Sequence, residues 1–216
     1  MINPGNIAAH RTIDVGHLKS SAFDYRAPLW WGNTLLLFIE TAMFGILVTI
    51  YFTVMMDTAP FPPPRVDRLP VIYDPVPDLT LPIVGLIVLV ASLAPCIWLD
   101  ISARRRNVKA IKIALPLTLA FNIAAFIIRY FEFDSLHFKW NDNAYGSITW
   151  MLLGMHLLHI IALGCEDIFL LLWTFARGMD DKHAVDLTVT AVYWYWIVGI
   201  WVLLFPLIYL VPRMVG

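Results

Sequence analysis

The stretch LWWGNTLLLFIETAMFGILVTIYFTVM, residues 29–55, decides the fold class, because Glu40 is its single charged side chain. About 20 consecutive apolar residues are enough for an α-helix to cross the ~30 Å hydrocarbon core of a bilayer. The stretch is too long for a strand and lacks the alternation of apolar and polar residues that a strand would show. Because backbone groups in lipid must bond within their own segment, it predicts a transmembrane α-helix.

Four later stretches have the same character, and the charged residues gather between them. The predicted spans, in chain order, are about 29–55, 80–101, 108–130, 147–175 and 187–211. The whole chain is 60% hydrophobic and 14% charged, whereas a soluble domain carries about a quarter charged residues. We therefore predict an all-α integral membrane bundle of five transmembrane helices over residues 29–216, preceded by an N-terminal segment, residues 1–28.

The loops differ in their positive charge. Alternate loops place ten of the fifteen Lys and Arg residues on one side of the membrane, and much of that bias comes from Arg104–Arg106. Since cytoplasmic loops carry the excess of Lys and Arg, segment 1–28 is predicted to be cytoplasmic and the C-terminus outside. Trp30, Trp31 and Tyr209, near the ends of spans, are interpreted as residues of the aromatic belts at the membrane surfaces.

Glu40 lies near the middle of the first predicted span. Its helical neighbours at i±3 and i±4 are apolar, namely Leu36, Leu37, Met43 and Phe44. An ionised carboxylate at that depth costs at least ~2.5–3.5 kcal/mol on insertion scales, so Glu40 is predicted to be protonated or paired with another helix. It is either a protonated carboxyl bonded to a neighbouring carbonyl, or a proton-linked or interface carboxyl.

His156, His159 and Glu166 form one stripe along the fourth span, because residues at spacings of three and seven share a helix face. Two histidines three apart on one helix cannot occupy opposite sides of a haem iron, and the other histidines lie outside the predicted spans. A metal held by His156, His159 and either Glu40 or Glu166 is an alternative. Hydrogen-bonded packing histidines are favoured, so no metal is predicted in this chain.

Four stretches resemble, in order, segments of cytochrome c oxidase subunit III. WWGNTLLLFIETAMFGILVTIY (30–51) resembles the helix that carries the family's carbodiimide-reactive glutamate, here Glu40. RYFEF (129–133) is similar to the end of a later helix, which has a glutamate–aromatic pair. DNAYGSITWMLLGMHLLHI (142–160) is similar to the family's aspartate, tyrosine–glycine–serine and histidine-x-x-histidine pattern, and AVYWYWIVGIWVLLFPLIY (191–209) resembles its last helix.

These motifs imply site residues but no catalytic residue. Glu40 would be a proton-linked or lipid- or interface-facing carboxyl. The structural polar residues would be Arg129, Glu132, Tyr145, Ser147, His156 and His159. The i,i+3 spacing of Arg129 and Glu132 also predicts a partly buried ion pair at the outer end of the third span. Where the family has histidine and, three residues on, aspartate in its last helix, this chain has Tyr195 and Val198.

The resemblance implies the five-helix bacterial form of the family, a multi-pass protein of the plasma (inner) membrane. Such a chain is an accessory subunit of a respiratory haem–copper cytochrome c oxidase, a non-catalytic part of a proton-pumping enzyme. It packs mainly beside subunit I, with subunit II and other respiratory subunits as further partners, binds phospholipid and sustains proton uptake. Haem and copper are expected in the partner subunits, with no redox centre in this chain. A net charge of −1 gives no support for a nucleic-acid partner.

Three alternatives follow from the same residues. A subunit III-like accessory protein of a nitric oxide reductase would share this helical pattern. A small proton-coupled transporter could use Glu40, although the sequence shows no internal repeat and no broken helix pair. A haem-containing quinol-oxidising membrane anchor is disfavoured by the placement of the histidines.

Overall fold

A computed structural model describes residues 28–64, 66, 71–73 and 75–215. This part of the chain is helical and contains no β-strand, which confirms the all-α prediction. Residues 1–27 of the predicted N-terminal segment lie outside the described residues. The predicted orientation of the two termini is not tested by the fold and stays a prediction.

The helices form five stretches that are long and apolar enough to cross a membrane, as predicted. In chain order they are α1 (Pro28–Asp57), α2 (Thr80–Ala91), α3 (Leu93–Arg104), α4 (Val108–Asp134), α5 (Ala144–Ala176) and α6 (Asp181–Phe205), followed by a π-helical turn (Pro206–Leu210) and α7 (Val211–Val215). The α2–α3 pair makes the second span, and α6, the π-helical turn and α7 make the fifth. Each predicted span lies within an observed one.

Capping residues mark where three helices begin: α4 begins at Val108 as predicted, whereas α5 and α6 begin before the predicted spans. The side chain of Asn107 accepts the N–H of Ala110 before α4, and that of Asn143 accepts the N–H of Gly146 before α5. Before α6, Asp180 accepts the backbone N–H of His183. This bond and a second hydrogen bond, between the carboxylate and Nδ1 of the His183 ring, hold the pKa of Asp180 below its usual range.

The second span is divided at Ser92, where the sequence predicts one continuous helix. Pro95 has no amide hydrogen, so the carbonyl of Ala91 loses its helical partner. Ser92 is fully buried, and its hydroxyl donates to the carbonyl of Leu89 at 2.6 Å. The same hydroxyl oxygen accepts the indole N–H of Trp194 at 2.7 Å. The second and last spans are therefore hydrogen-bonded to each other at the point where the second span is divided.

The fourth and fifth spans form the centre of the bundle. Helix α5 packs against α1, α4 and α6, and α6 packs in addition against α2 and α3. Half of an apolar 18-residue stretch in each of these two spans is buried, compared with 17% of such a stretch in the first span. Helix α1 therefore lies at the edge and exposes an apolar face that includes Leu35, Leu36, Phe38, Ile39, Ile46 and Ile50.

The start of α5 is held by aromatic packing around Tyr145, which is fully buried. Its ring lies 5.0 Å from that of Phe138 and 5.1 Å from that of Phe61, measured between centroids. The ring of Tyr51 on α1 lies 6.2 Å away. Tyr145 thus joins α1, the segment after α1 that contains Phe61 and the connection before α5.

The two residues after Tyr145 contact the backbone of the preceding connection. The Ser147 hydroxyl donates to the carbonyl of Trp140 at 2.6 Å. Gly146 leaves room for the same connection, since a Cβ atom at that position would lie 2.5 Å from the carbonyl oxygen of Lys139. The tyrosine–glycine–serine sequence therefore fastens the connection to the first turn of α5.

We predict that Gly146→Ala destabilises the protein by about 1–3 kcal/mol, because the added methyl group forces the Lys139 backbone to move. Alanine is the better helix former by about 1 kcal/mol, so any net loss comes from the clash. The measurement is thermal unfolding of the purified protein in mild detergent.

The matched control is Gly154→Ala in the same helix, where an added Cβ meets nothing within 4 Å. It is expected to leave the melting temperature unchanged or to raise it. Equal shifts in both variants would show that the close approach at Gly146 does not matter.

Candidate functional site

Arg129 and Glu132 form a buried ion pair in the last part of α4. Arg129 Nη1 donates to both carboxylate oxygens of Glu132, at 2.9 and 2.8 Å. The predicted i,i+3 pair is therefore confirmed. Its burial is more complete than predicted, since Arg129 is 3% and Glu132 2% exposed. The fourth and fifth spans supply the groups that cover it.

Three further side chains complete what we call the charge cluster: Arg129, Glu132, His156, Trp201 and Tyr209. Arg129 Nη2 lies 3.3 Å from His156 Nδ1 on α5. The guanidinium carbon lies 3.6 Å from the ring centroid of Trp201 on α6, a cation–π contact. The hydroxyl of Tyr209, in the π-helical turn, donates to Glu132 Oε1.

The charge cluster determines the tautomer of His156. A guanidinium can only donate, so Nδ1 of His156 accepts and carries no hydrogen. The hydrogen is then on Nε2, which lies 3.1 Å from the carbonyl oxygen of Ile197 and donates to it. His156 is consequently a neutral imidazole with both ring nitrogens engaged by the protein.

The interpretation of Tyr209 as a residue of the membrane-surface belt is wrong, because its side chain is fully buried. The π-helical turn that contains it begins at Pro206, which has no amide hydrogen to continue the α-helical bonding. The N–H of Val211 instead bonds the carbonyl of Pro206, five residues earlier. One extra residue in a turn rotates the following side chains by about 100° relative to an α-helix.

Glu40 meets His159 across the interface between α1 and α5. Glu40 Oε2 lies 3.2 Å from His159 Nε2, and the two side chains are 24% and 6% exposed respectively. The prediction left open whether Glu40 is bonded to a carbonyl or paired with another helix, and the structure has it paired. Neither the distance along the sequence nor the apolar neighbours of Glu40 identify His159 as the partner.

Glu40 and His159, which we call the carboxyl–imidazole pair, lie at ion-pair distance from each other. His159 Nδ1 lies 2.6 Å from the carbonyl oxygen of Met155, so Nδ1 carries a hydrogen and donates it. Nε2 faces the carboxyl, and one further proton shared by the two groups would lie either on the carboxyl or on the ring. Both arrangements have zero net charge, which suits a site within the membrane.

Aromatic rings pack against His159 of the carboxyl–imidazole pair on the side that faces the other helices. The ring centroids of Trp196 and Phe44 lie 5.1 and 5.5 Å from that of His159. The indole N–H of Trp196 also donates to the hydroxyl of Thr41, beside Glu40, at 2.8 Å. The remaining exposed part of Glu40 lies on α1, the helix at the edge of the bundle.

The stripe of His156, His159 and Glu166 faces the last span. His156 contacts the carbonyl of Ile197, and His159 contacts the ring of Trp196. Glu166 Oε1 accepts from the hydroxyl of Thr190 at 2.8 Å. The side chains do not converge as metal ligands. Within the described ranges, no group of three or more His, Cys, Asp and Glu side chains could hold a metal ion. The alternative of a metal bound by both histidines and a glutamate does not fit this geometry, because protein groups occupy all four ring nitrogens.

The remaining predicted site residues lie apart from these two groups. Tyr145 and Ser147 are at the start of α5, and Tyr145 is fourteen positions before His159, or about 21 Å at the helical rise. His156 and His159 are one turn apart, so α5 brings the charge cluster and the carboxyl–imidazole pair next to each other. The sequence did not predict that Trp201 belongs to the charge cluster or that Trp196 lies beside the carboxyl–imidazole pair. A tryptophan in an apolar helix gives the same sequence pattern whether it faces lipid or protein.

We predict that Glu132→Gln destabilises the protein by about 3–5 kcal/mol, because it leaves the buried guanidinium of Arg129 without its counter-charge. At about 2–4 °C per kcal/mol for a chain of this length, the melting temperature should fall by roughly 10 °C. Asp134→Asn is the control, since Asp134 is an exposed carboxylate of the same helix. An unchanged melting temperature in Glu132→Gln would contradict the importance given to the ion pair.

Comparison with known proteins agrees with the motifs. The sequence profile of the family described as cytochrome c oxidase subunit III matches residues 12–212. The chain is similar to cytochrome c oxidase subunit 3 of Pylaiella littoralis, with 31% identity over 60% of this chain and 47% of that protein. It is also similar to cytochrome c oxidase subunit 3 of Oryctolagus cuniculus, with 28% identity over 63% of this chain and 52% of that protein. The probable cytochrome c oxidase subunit 3 of Rickettsia bellii is 24% identical over 83% of this chain and 67% of that protein.

The chain thus spans about half the length of the first two relatives and a larger share of the third. The profile match, in contrast, leaves only short stretches at the two ends of this sequence outside it. The ordered motifs, the five spans and this match together show that the chain belongs to the cytochrome c oxidase subunit III family.

Proposed function

We propose that this chain is the accessory subunit III of a respiratory haem–copper cytochrome c oxidase in a bacterial plasma membrane. Membership of the family and the names of its relatives support the proposal. In this assignment subunit I is the main partner, and subunit II and other respiratory subunits are further partners. The chain would contribute to a proton-pumping enzyme without carrying out its redox chemistry.

Haem and copper belong, in this proposal, to the partner subunits. The donor groups of this chain support that division, since His156 is bonded to Arg129 and the Ile197 carbonyl, and His159 to Glu40 and the Met155 carbonyl. A metal ion would have to displace one of these contacts. Displacing His156 from Arg129 would remove a contact of a buried charge, which is costly.

The apolar face of α1 supports a role in assembly and lipid binding. This face stays uncovered by the rest of the chain, with Phe38 74% and Ile39 58% exposed. In a bilayer such a face contacts lipid chains or the helices of a partner. We assign it to contact with the catalytic subunit and with bound phospholipid.

The contact between Glu40 and His159 carries the proton-linked part of the proposal. The two atoms lie 3.2 Å apart at the partly exposed edge of the bundle, and we propose that they share one proton. Moving that proton from one atom to the other leaves the net charge at zero, so no unpaired charge is created within the bilayer. We propose that the pair helps the neighbouring subunit to sustain proton uptake.

Purification of the chain with its partners in mild detergent tests the assignment. We expect co-purifying oxidase subunits, haem absorption that belongs to those subunits, and O₂ consumption with reduced cytochrome c. A complex that reduces nitric oxide and not O₂ would overturn the assignment in favour of a nitric oxide reductase. A chain that purifies alone and exchanges protons across vesicles would overturn it in favour of a transporter.

We further propose that the Arg104–Arg106 side of the bundle faces the cytoplasm, as the charge bias of the loops indicates. Single cysteines at Lys109 and Val66, both exposed, test the two sides after Cys96 and Cys165 have been replaced. In intact cells an impermeant maleimide should label Val66→Cys and leave Lys109→Cys unlabelled. The reverse pattern would invert the orientation.

We predict that Glu40→Gln lowers sustained turnover of the complex at mildly alkaline pH, where proton supply limits the rate. Glutamine keeps the size and a hydrogen-bonding group but has no proton to transfer. The loss should stay well below the 10²–10⁴-fold cost of removing a group that transfers a proton at a reaction centre, because the main proton paths lie in the partner.

Glu166→Gln is the matched control, since Glu166 is an exposed carboxylate of α5 bonded to Thr190. It should leave sustained turnover unchanged. Complete loss of O₂ reduction in an assembled Glu40→Gln complex would contradict the accessory role. Unchanged turnover at every pH would reduce Glu40 to a packing residue.

A further inference from the structure

Five buried side chains carry polar atoms that have no hydrogen-bonding partner among the described residues. Three of these atoms are the hydroxyl oxygens of Tyr51, Tyr145 and Thr149, and two are the nitrogens Arg129 Nε and Trp201 Nε1. Arg129 is 3% exposed and the other four side chains are 0% exposed. Buried polar groups almost always have a partner, either in the protein or in ordered water, because leaving one without a partner is costly.

The three hydroxyl-bearing side chains lie next to one another, where α1 meets the first turns of α5. The ring centroids of Tyr51 and Tyr145 are 6.2 Å apart, and Thr149 follows Tyr145 by about one turn of α5. The hydroxyls of Tyr145 and Thr149 lie close enough to interact but do not have hydrogen-bonding geometry. A water molecule often bridges two polar groups placed in this way.

The two N–H groups belong to the charge cluster. The guanidinium carbon of Arg129 lies 3.6 Å from the ring centroid of Trp201, so both N–H groups are at the same contact. Each can only donate, and each therefore needs an acceptor. Tyr209 links this contact to the hydroxyls, because it donates to Glu132 of the cluster and also interacts with Tyr145.

The chemistry of these groups selects the ligand. It has to accept from two N–H groups and to bond with hydroxyls. A cation would face the guanidinium of Arg129, and an anion would face the carboxylate of Glu132 that already balances it. The near-complete burial of all five side chains leaves no opening for a larger ligand. Water is small and neutral, and it both donates and accepts hydrogen bonds.

We propose that ordered water molecules inside the bundle bind the Tyr51, Tyr145 and Thr149 hydroxyls and the Arg129 and Trp201 N–H groups. We call this the internal water site. Its water completes the hydrogen bonding of the guanidinium and so lowers the cost of burying that charge. It also joins α1 to the third, fourth and fifth spans through hydrogen bonds. The site lies within this chain and goes beyond the proposed function, since it does not depend on the identity of the partner subunits.

X-ray radiolysis of the intact complex in mild detergent tests the internal water site. Radiolysis converts water into hydroxyl radicals, which oxidise the side chains next to the water molecule that produced them. Trp201 should therefore be oxidised although its side chain is fully buried. Mass spectrometry of the peptides gives the rate of oxidation at each residue.

Trp194 is the matched control in the same helix. It is 1% exposed, and its indole N–H is bonded to the hydroxyl of Ser92, so it needs no water. Trp194 should be oxidised several times more slowly than Trp201. Equal rates at the two residues would overturn the proposal, because Trp201 would then have no water beside it.

Thr149→Val tests the hydroxyl side of the site, because valine has a similar shape and no hydroxyl. With water bound, the loss of its hydrogen bond should lower the melting temperature by about 2–4 °C. Without water, the change removes an unpartnered buried hydroxyl and should raise the melting temperature. The direction of the shift therefore decides whether Thr149 binds water.

Thr174→Val on α5 is the control for this variant, since the buried hydroxyl of Thr174 already donates to the carbonyl of Leu170 at 2.7 Å. Thr149→Val should also slow the oxidation of Tyr145 several-fold, and Thr174→Val should not. A melting temperature that rises in Thr149→Val at least as much as in Thr174→Val would overturn the proposal. If Thr149→Val does not fold, the comparison of Trp201 with Trp194 in the wild-type complex still decides it.

Discussion

Burial of the Arg129 guanidinium is the constraint on which the arrangement of the third, fourth and fifth spans depends. A buried charge costs several kcal/mol unless other groups pair with it. The guanidinium pairs with Glu132 from the same helix and contacts His156 of α5 and the ring of Trp201 of α6. Tyr209 of the π-helical turn donates to Glu132 in turn. Each contact needs a defined rotation of its helix, so pairing the two terminal nitrogens of this guanidinium constrains the relative orientation of three spans, although its Nε has no hydrogen-bond partner among the described residues.

The same contacts extend from the charge cluster to the edge of the bundle. Arg129 and the Ile197 carbonyl hold His156 on the side of α5 that faces the last span. His159, one turn later, is then presented to α1, where Glu40 meets it. The position of the carboxyl–imidazole pair therefore depends on a structural ion pair on another helix. A change at the structural ion pair would therefore shift the contact to which we assign the proton-linked role.

The first span is attached differently from the others. Its inner contacts are few and include the Glu40–His159 pair, the bond from Trp196 to Thr41 and the packing of Tyr51 on Tyr145. Most of its remaining surface is apolar and uncovered by the chain. A helix held at a few specific points and open elsewhere suits a subunit that completes its burial against lipid and partner helices.

The sequence by itself determined the five spans, because long apolar stretches in lipid have no alternative to the α-helix. It also determined the Arg129–Glu132 pair, since residues three apart on a helix are neighbours whatever surrounds them. It did not give the partner of Glu40, which lies more than a hundred positions away in His159, nor the inward placement of Tyr209. Local spacing specifies contacts within one helix. Contacts between helices depend on how the helices rotate against each other, and here the tertiary structure decided that rotation by satisfying a buried charge.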